Sequence, residues 1–365
     1  MTEIYDAALK ILADNGPEYD GYPNHGPVVA HTILELGRPA KVDSWVRDYQ
    51  PALDQPPGPV EPITRHSFLP AIGKIERYTD WTNYLKREMR EEQWTNLTED
   101  WITQLAPGLS GAAGNAMIRT AHILKAVQSH SSSILINELA ASLGYWFSSY
   151  RRLPGIAGGA KAGTLSPDTA LGRIRWINKE GIPVYKTLGQ GLTSVTGNPY
   201  FTGVINLIAI PTDLDQVVHA MTEAFCRVFL AHSTHPLARI PFMQAINVLS
   251  ATRFLLPYLQ TDASKIAMLR YAWQFAGGLY AVFGSSNPVD QFIPQPMDRE
   301  RLVDQTLATG DEHIIRFVGS CLREYEHHES KVYFTTAWDA VNSYRPTAVL
   351  DESGIDSNLP YYRDF

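Results

Sequence analysis

The feature that most constrains this fold is the helical spacing of apolar residues, which recurs along most of the chain. Leu135, Leu139 and Leu143, followed by Trp146, show it clearly, because spacings of three and four residues share one helix face. Further long helices are predicted at 212–232, 236–260, 262–283, 311–325 and 330–344. No internal repeat or strongly polar linker divides the 365 residues. We therefore predict an all-α fold, a large single-domain helical bundle spanning residues 1–365.

Two glycine-rich stretches depart from this pattern. Residues 155–211 are the least helical part, and long irregular segments inside compact domains are usually functional. We predict an irregular excursion there that covers a pocket. The apolar run at 204–210 fits either a short strand or buried helix. Upstream, residues 108–114 contain only small residues besides Leu109, which indicates a close approach of the backbone to another element or a ligand.

Composition and charge exclude several classes of protein. The net charge is −7, and no basic stripe is present that would follow a phosphate backbone, so no nucleic-acid partner is expected. No apolar run approaches the roughly 18 residues of a membrane span. The N-terminus lacks the basic and apolar regions of a signal peptide, and two cysteines are normal for a reducing compartment. A cytoplasmic location is therefore expected.

Most standard catalytic motifs are absent. The chain has no G-x-S-x-G, H-E-x-x-H, P-loop or C-x-x-C sequence, and its isolated glycines are not a dinucleotide fingerprint, so no flavin domain is expected. One Glu-x-x-His pair, Glu324 and His327, lies in a charged cluster. A di-iron bundle needs two such pairs and two further carboxylates, so this cluster is interpreted as a solvated helix end.

Three histidines are candidates for function. His25 precedes a helix in a Pro-Asn-His-Gly turn. His122 lies on one helix face with Asn115 and Arg119, at spacings of three and four residues. His313 shares a face with Arg316, three residues later. Two such helices, if they faced each other, would line a polar pocket.

The remaining histidines are assigned structural roles. His31, His66, His130 and His328 are expected at the surface or in loops, and His232 is expected to pack in the core. For any single partly buried histidine, a hydrogen-bonded structural role is the more common one.

The same stretches resemble the questin oxidase-like family. The matching segments, in order over nearly the whole chain, are Gly21–Pro27, Met117–His122, Leu143–Trp146, Leu153–Gly155, Thr252–Pro257, Gly310–His313 and Cys321–Glu324. The resemblance implies a flavin-free oxygenase that inserts oxygen into, or cleaves, polycyclic aromatic or polyketide-derived substrates such as anthraquinones. These are reactions of Baeyer–Villiger type in secondary metabolism, with dioxygen as co-substrate and NADPH as reductant. It further implies non-haem Fe(II) as cofactor.

Carried over to this chain, the resemblance assigns the metal to His25, His122 and His313. Arg316 joins them as a catalytic residue. The residues predicted to bind substrate oxygens or stack on the substrate are Asn115, Arg119, Gln244, Tyr22 and Trp146.

The chain also departs from the family pattern. Asn115, Gln244 and Ser250 stand where the family has histidine, and Arg316 stands where it favours lysine. The resemblance implies that this lysine is carboxylated and that its carbamate binds the iron, whereas arginine stays protonated and cannot form a carbamate ligand. A second hypothesis is therefore a metal-free member, either an enzyme that performs acid–base chemistry (hydration, cyclisation or ring opening) or a non-catalytic binding partner.

Overall fold

The computed structural model describes residues 2–178, 181–182 and 184–344. Nearly all regular structure in this part of the chain is α-helical, so the predicted all-α fold is confirmed. The strands described are two residues each, β1 (Glu18–Tyr19) and β2 (Tyr22–Pro23), which pair antiparallel. The residues group into two compact units, unit 1 (Met1–Arg152 and Ala251–Met268) and unit 2 (Leu153–Ser250 and Leu269–Phe365). Whether the units form the predicted single domain stays a prediction.

Unit 1 contains seven helices of the described chain. They are α1 (Thr2–Leu12), α2 (Gly26–Glu35), α3 (Val42–Tyr49), α4 (Tyr78–Glu91), α5 (Trp94–Leu105), α6 (Asn115–Ser129) and α7 (Ser133–Ser149). Helix α7 is central, because α1, α4 and α6 all pack against it. Its predicted apolar stripe is confirmed, since Leu135, Leu139, Leu143 and Trp146 are fully buried.

The small residues before α6 lie where two backbone segments approach closely. A Cβ atom added to Gly111 would be 2.1 Å from the carbonyl oxygen of Ser149, and one added to Gly108 would overlap the ring of Tyr150. Ala112 and Ala113 have φ angles of 46° and 49°, a left-handed conformation that is uncommon for alanine. The predicted close approach is therefore confirmed, and its partner is the end of α7.

Unit 2 contains the other eight α-helices of the described residues, although parts of two of them belong to unit 1. They are α8 (Pro167–Leu171), α9 (Leu188–Thr193), α10 (Leu214–His232), α11 (Pro236–Leu255), α12 (Asp262–Phe283), α13 (Arg299–Ala308), α14 (Glu312–His327) and α15 (Lys331–Asn342). Helix α10 packs against α8, α14 and α15. The unit boundaries fall within α11 and α12.

The helix ends differ from the sequence expectations for identifiable reasons. Helix α10 begins at Leu214 instead of 212, because the Asp213 side chain accepts the backbone N–H of Gln216 and acts as the N-cap. Helix α11 ends at Leu255 and passes directly into a 3-10 turn, Leu256–Tyr258, because Pro257 has no N–H to continue the α-helical hydrogen bonds. His232 packs as expected: its Nδ1–H donates to the Val228 carbonyl at 2.7 Å.

The glycine-rich stretch is largely irregular, as predicted, apart from the short helices α8 and α9, and Arg270 holds its two ends. The Arg270 guanidinium is fully buried and donates to the carbonyl oxygens of Gly159, Ala162, Ile205 and Ile208. The apolar run at 204–210 is neither of the predicted alternatives. It forms a single 3-10 turn, Val204–Asn206, followed by one isolated bridge between Leu165 and Ile208.

Across the described residues, no helix combines the length and the apolar character that crossing a membrane requires.

Candidate functional site

The hairpin and turn before α2 fix where that helix starts. The Asn24 side chain accepts the backbone N–H of Gly26 and donates to the carbonyl of Gly16, both at 2.9 Å. Pro27 occupies the first turn, where its missing N–H costs nothing. His25 is buried at the N-cap, and its backbone N–H donates to the Tyr49 hydroxyl at 2.9 Å. These contacts fix the start of α2. They therefore also fix the positions of the residues one and two turns later in the helix.

His31, in the second turn of α2, meets His122 of α6. Their Nδ1 atoms are 3.0 Å apart, and their rings are nearly perpendicular. Both residues are buried, with 9 % and 3 % of their surface exposed. The Tyr5 ring lies 5.3 Å from the His31 ring, and the Phe254 ring lies 5.3 Å from that of His122. Two imidazoles thus converge between aromatic rings within unit 1.

Glu35 completes a group of three potential metal ligands. It follows His31 by one helical turn, and its Oε2 atom lies 3.8 Å from His31 Nδ1. One ligand atom from each of His31, Glu35 and His122 lies within 4.8 Å of the other two. Among the residues that the structure describes, this is the one group of three or more histidine, cysteine or acidic residues with that spacing.

The donor set fits a first-row metal ion. Nitrogens 3.0 Å apart can both bind one ion at the usual imidazole bond length of about 2.0–2.1 Å, with an angle of about 95° between the bonds. The Glu35 side chain is about a quarter exposed (27 %), so it has room to rotate toward the two nitrogens. Two histidines and one carboxylate with open positions are typical of non-haem Fe(II) oxygenases. The same 3.0 Å also fits a hydrogen bond, in which one ring donates and the other accepts.

A small pocket adjoins this group of three residues. It has a volume of about 150 Å³, and His31 and Glu35 form part of its wall together with Tyr5, Leu34, Ala126 and His130. An apolar cavity of this size holds a molecule such as benzene. His31 and Glu35 can therefore be reached by a small molecule, even though His31 is almost completely buried.

Tyr5 connects this pocket with a buried ion pair. Its hydroxyl donates to the Pro27 carbonyl at 3.0 Å. Burial, together with the negative charge of Glu138, raises the pKa of Tyr5 well above its ordinary value, so the phenol stays neutral. Glu138 accepts a 2.6 Å hydrogen bond from Arg119 Nε. Arg119 was predicted to bind substrate, and the structure gives it this structural partner.

The other predicted residues of unit 1 are buried. Asn115 donates to the Ala112 carbonyl at 2.9 Å and so stabilises the strained turn before α6. Tyr22 lies in the hairpin, with its ring 6.2 Å from that of Tyr19. Trp146 is fully buried, and its Nε1–H has no hydrogen-bond partner among the described residues. Their roles as substrate ligands stay predictions.

In unit 2, three predicted residues come together. Arg316 Nη2 lies 3.3 Å from His313 Nδ1 and 3.5 Å from Gln244 Oε1, and Arg316 and Gln244 are buried. Because His25 and His122 belong to unit 1, the predicted convergence of His25, His122 and His313 stays a prediction. What the structure brings together with His122 is His31 and Glu35.

Unit 2 also has a larger pocket formed in part by the glycine-rich stretch. Its volume is about 920 Å³, and its walls include Arg175, Trp176, Tyr200 and Tyr280. The Arg175 guanidinium lies 4.1 Å from the centre of the Tyr200 ring. The expectation that residues 155–211 cover a pocket therefore has a structural counterpart.

Two sequence interpretations were wrong. His31 was expected at the surface or in a loop, whereas it is buried in α2. The signal that could have identified it is the His-x-x-x-Glu spacing of His31 and Glu35, which places both side chains on one helix face. Glu324 was expected at a solvated helix end, but it is fully buried and accepts a hydrogen bond from the Ser250 hydroxyl at 2.9 Å.

The fold and the site together define an all-α protein with a candidate metal site of two histidines and one glutamate. No protein-family model matches the chain, and no curated protein matches it either. The functional assignment therefore depends on the chemistry of the residues and on the resemblance described above.

Proposed function

We propose that this protein is a non-haem, metal-dependent oxygenase in which His31, His122 and Glu35 hold an Fe(II) ion. The observation that carries the proposal is the convergence of these three side chains within 4.8 Å of one another. Two neutral nitrogens and one carboxylate suit Fe(II), and three protein ligands leave positions open for other molecules. When bound, such an ion supplies the activation of dioxygen.

The surrounding residues contribute orientation and a dry environment. The rings of Tyr5 and Phe254 lie against His31 and His122, where they limit rotation of the imidazoles and exclude water. Glu35 supplies a negative charge that partly compensates that of a divalent cation. The adjoining pocket gives a small molecule access to the His31 and Glu35 side of the site.

The substrate class in this proposal comes from the resemblance. It is an aromatic, polyketide-derived compound, oxidised by oxygen insertion or ring cleavage. Insertion of one oxygen atom from dioxygen requires two electrons to reduce the second atom to water, and NADPH is the proposed donor. Cleavage that incorporates both oxygen atoms needs no such donor.

Metal content measured in matched variants tests the proposal. Untagged protein is treated with a chelator, loaded anaerobically with Fe(II), passed through a desalting column and analysed for iron. We expect near-stoichiometric iron in the wild type and in the control His66→Ala, which alters an exposed histidine. We expect its loss in His31→Ala, His122→Ala and Glu35→Gln. Loading with Co(II) adds a visible spectrum that reports the ligand set without any assay of activity.

The same experiment separates this site from the one predicted by sequence. His25→Ala and His313→Ala retain iron if His31, His122 and Glu35 are the ligands. Loss of iron in those two variants, with retention in His31→Ala and Glu35→Gln, would reject the proposed site. Thermal denaturation of each variant shows whether loss of metal reflects loss of folding.

The distance between the two histidines also favours a second candidate function, a metal-free acid–base enzyme. At 3.0 Å, His31 and His122 form an ordinary hydrogen bond in which one ring can pass a proton to the other. This candidate predicts no retained metal in any variant. It also predicts proton exchange between the two rings, observable by nitrogen-15 NMR of labelled histidine in the metal-free protein.

A further inference from the structure

A strap without helix or strand connects α12 to α13 in unit 2. It comprises residues 284–298, and most of its side chains are at least partly exposed. Irregular connections of more than about 12 residues are uncommon in compact domains and are usually functional. The contacts that hold the strap against the helices therefore decide what it can do.

The strap forms part of the walls of two pockets. Asn287 belongs to the wall of the larger pocket described above, which has a volume of about 920 Å³. A second pocket, of about 640 Å³, is lined by residues 287–290 of the strap and by several side chains of α10, among them His219, Glu223 and Arg227. The shape of this second pocket therefore depends on where the strap lies.

His232, the last residue of α10, holds the start of the strap. Its Nε2 atom accepts the backbone N–H groups of Ser285 at 3.0 Å and of Ser286 at 3.2 Å. The Nδ1 atom of the same ring lies 2.7 Å from the Val228 carbonyl oxygen, which can only accept, so Nδ1 carries the proton. Two N–H groups at Nε2 and one carbonyl at Nδ1 require the neutral imidazole.

The middle and the end of the strap are held by other residues. Arg227 donates to the Asp290 carbonyl at 3.1 Å, and Trp338 Nε1–H donates to the Pro296 carbonyl at 2.7 Å. At the start, the Tyr280 hydroxyl donates to the Ser286 carbonyl at 3.2 Å, and a single hydrogen bond of this kind is weak by itself. Loss of the contacts to His232 should therefore free the start of the strap alone.

The surroundings of His232 favour its neutral form. Burial is the main cause that lowers the pKa of His232, and the positive charge of His235 adds to it, whereas the hydrogen bond to Val228 opposes it. The Phe242 ring, whose centre lies 4.8 Å from that of the imidazole, contributes apolar surface on the α11 side.

The charged groups around His232 do not compensate a proton on its ring. On the elements around it, the titratable side chains are Arg227 (α10), His235 and Arg239 (before and in α11), Tyr280 (α12), Asp290 (strap) and Asp339 (α15). Asp339 accepts hydrogen bonds from Ser233 and Ser343 instead. Among the described residues, the ring nitrogens of His232 bond to Val228 and to the two serines of the strap, and to no carboxylate.

We propose that His232 is an acid-sensitive anchor: its neutral ring holds residues 285–288 of the strap against α10, and its protonation releases them and opens the pocket of about 640 Å³. A protonated Nε2 is a donor, so it would face two N–H groups and lose both hydrogen bonds. The inference does not depend on the proposed metal site, because His232 and the strap belong to unit 2 and the three metal-site residues belong to unit 1.

The direction of the pH dependence follows from the shift in pKa. With the strap attached, the pKa of His232 is lowered, whereas water reaches the ring of the released form and restores the ordinary value of about 6.5. The attached form therefore binds fewer protons. As the pH falls below about 6.5, the equilibrium constant for release should rise by up to about tenfold per pH unit, and well above pH 7 it should be constant.

A spin label on the strap measures this release in the full chain. Asn287→Cys carries the label at an exposed position, and the two native cysteines are buried and so protected from labelling. Between pH 7.5 and pH 5 we expect the ratio of mobile to immobile label to rise about tenfold or more. A label at Lys331→Cys, an exposed position of α15, should keep its spectrum, and far-ultraviolet circular dichroism should show intact helices.

Two substitutions identify the group that titrates. His232→Gln keeps an acceptor oxygen near the position of Nε2 but does not titrate, so we expect the strap to stay attached at both pH values. His235→Gln removes the neighbouring titratable ring and should leave the transition in place. Thermal denaturation confirms that both variants are folded.

Three results would overturn the inference. They are a strap label that does not respond to pH in the otherwise wild-type chain, the same transition in His232→Gln, and loss of helical signal over the same pH range. A transition that is present in the wild type and in His235→Gln, and absent from His232→Gln, supports the assignment to His232.

Discussion

Arg119 and Glu138 form an ion pair within the helical core of unit 1, with 2.6 Å between Arg119 Nε and Glu138 Oε1. Their side chains are only 5 % and 9 % exposed. Burial is the largest single effect and by itself would lower the pKa of Arg119, but the Glu138 carboxylate, together with Tyr78 and Tyr145, raises the pKa of the guanidinium above its ordinary value. Arg119 Nη1 has no hydrogen-bond partner among the described residues. The guanidinium therefore depends on Glu138 for its stability in the core.

Removing the carboxylate should destabilise the protein strongly. We expect Glu138→Ala to lower the free energy of unfolding by about 3–5 kcal/mol, because it leaves a buried charge without its partner. The control is Asp43→Ala, which breaks the exposed pair with Arg47 (side chains 64 % and 65 % exposed) and should cost under about 1 kcal/mol. Denaturant titration measures both, and equal losses would contradict this interpretation.

Gly111 should tolerate no side chain. An added Cβ atom would lie 2.1 Å from the Ser149 carbonyl oxygen, and backbone atoms on both sides cannot move away easily. We expect Gly111→Ala to cost about 2–3 kcal/mol through overpacking. Gly58→Ala is the matched control, since no atom lies within 4 Å of its added Cβ. A thermal transition of Gly111→Ala equal to that of Gly58→Ala would show that the two segments separate readily.

Arg270 should control the mobility of the glycine-rich stretch. Its guanidinium donates to carbonyls at both ends of that stretch, from Gly159 to Ile208. In Arg270→Leu these carbonyls lose their donors, and we expect amide hydrogen exchange in the surrounding peptides to accelerate by about tenfold or more. Arg173→Leu, at an exposed position of the same stretch, should leave exchange unchanged. Unaltered exchange in Arg270→Leu would mean that other contacts fix the segment.

The acid side of the stability profile should depend on Glu223 in unit 2. A hydrogen bond from His219 and an ion pair with Arg227 lower the pKa of Glu223 to about 2, against the opposing effect of burial. The folded state therefore binds fewer protons than the unfolded chain between about pH 2 and pH 4.5.

The stabilisation by Glu223 should be complete above about pH 5 and be lost as the pH falls toward 2. Because the carboxylate is partly exposed, we expect a contribution of about 1–2 kcal/mol after solvent screening. Denaturant titrations from pH 2 to pH 7 measure it. Glu223→Gln should flatten this part of the profile, and an unchanged slope in that variant would exclude Glu223 as its source.

Parts of the candidate site were predictable from local sequence. The sequence placed His122, Arg119 and Asn115 on one face of a helix, and the structure shows all three buried in α6. Gln244 was selected through the family resemblance, and Arg316 Nη2 lies 3.5 Å from its Oε1 atom and 3.3 Å from His313 Nδ1, while the roles of these residues stay predictions. His31 was missed although Glu35 lies one turn later on the same helix face, because the spacing within α2 does not show that a histidine of α6 faces it.

The sequence by itself determined the helical class of this protein. The spacing of apolar residues sets which face of each segment is buried away from water, and that spacing is a local property of the sequence. Helix starts and ends followed from caps and prolines, within a few residues. The tertiary structure alone decided which polar side chains meet. His31 and His122 are 91 positions apart, and Arg119 and Glu138 are 19 apart. Such contacts depend on how the helices pack. Packing follows from the combined fit of many side chains from distant parts of the chain, and a local sequence pattern does not describe that fit.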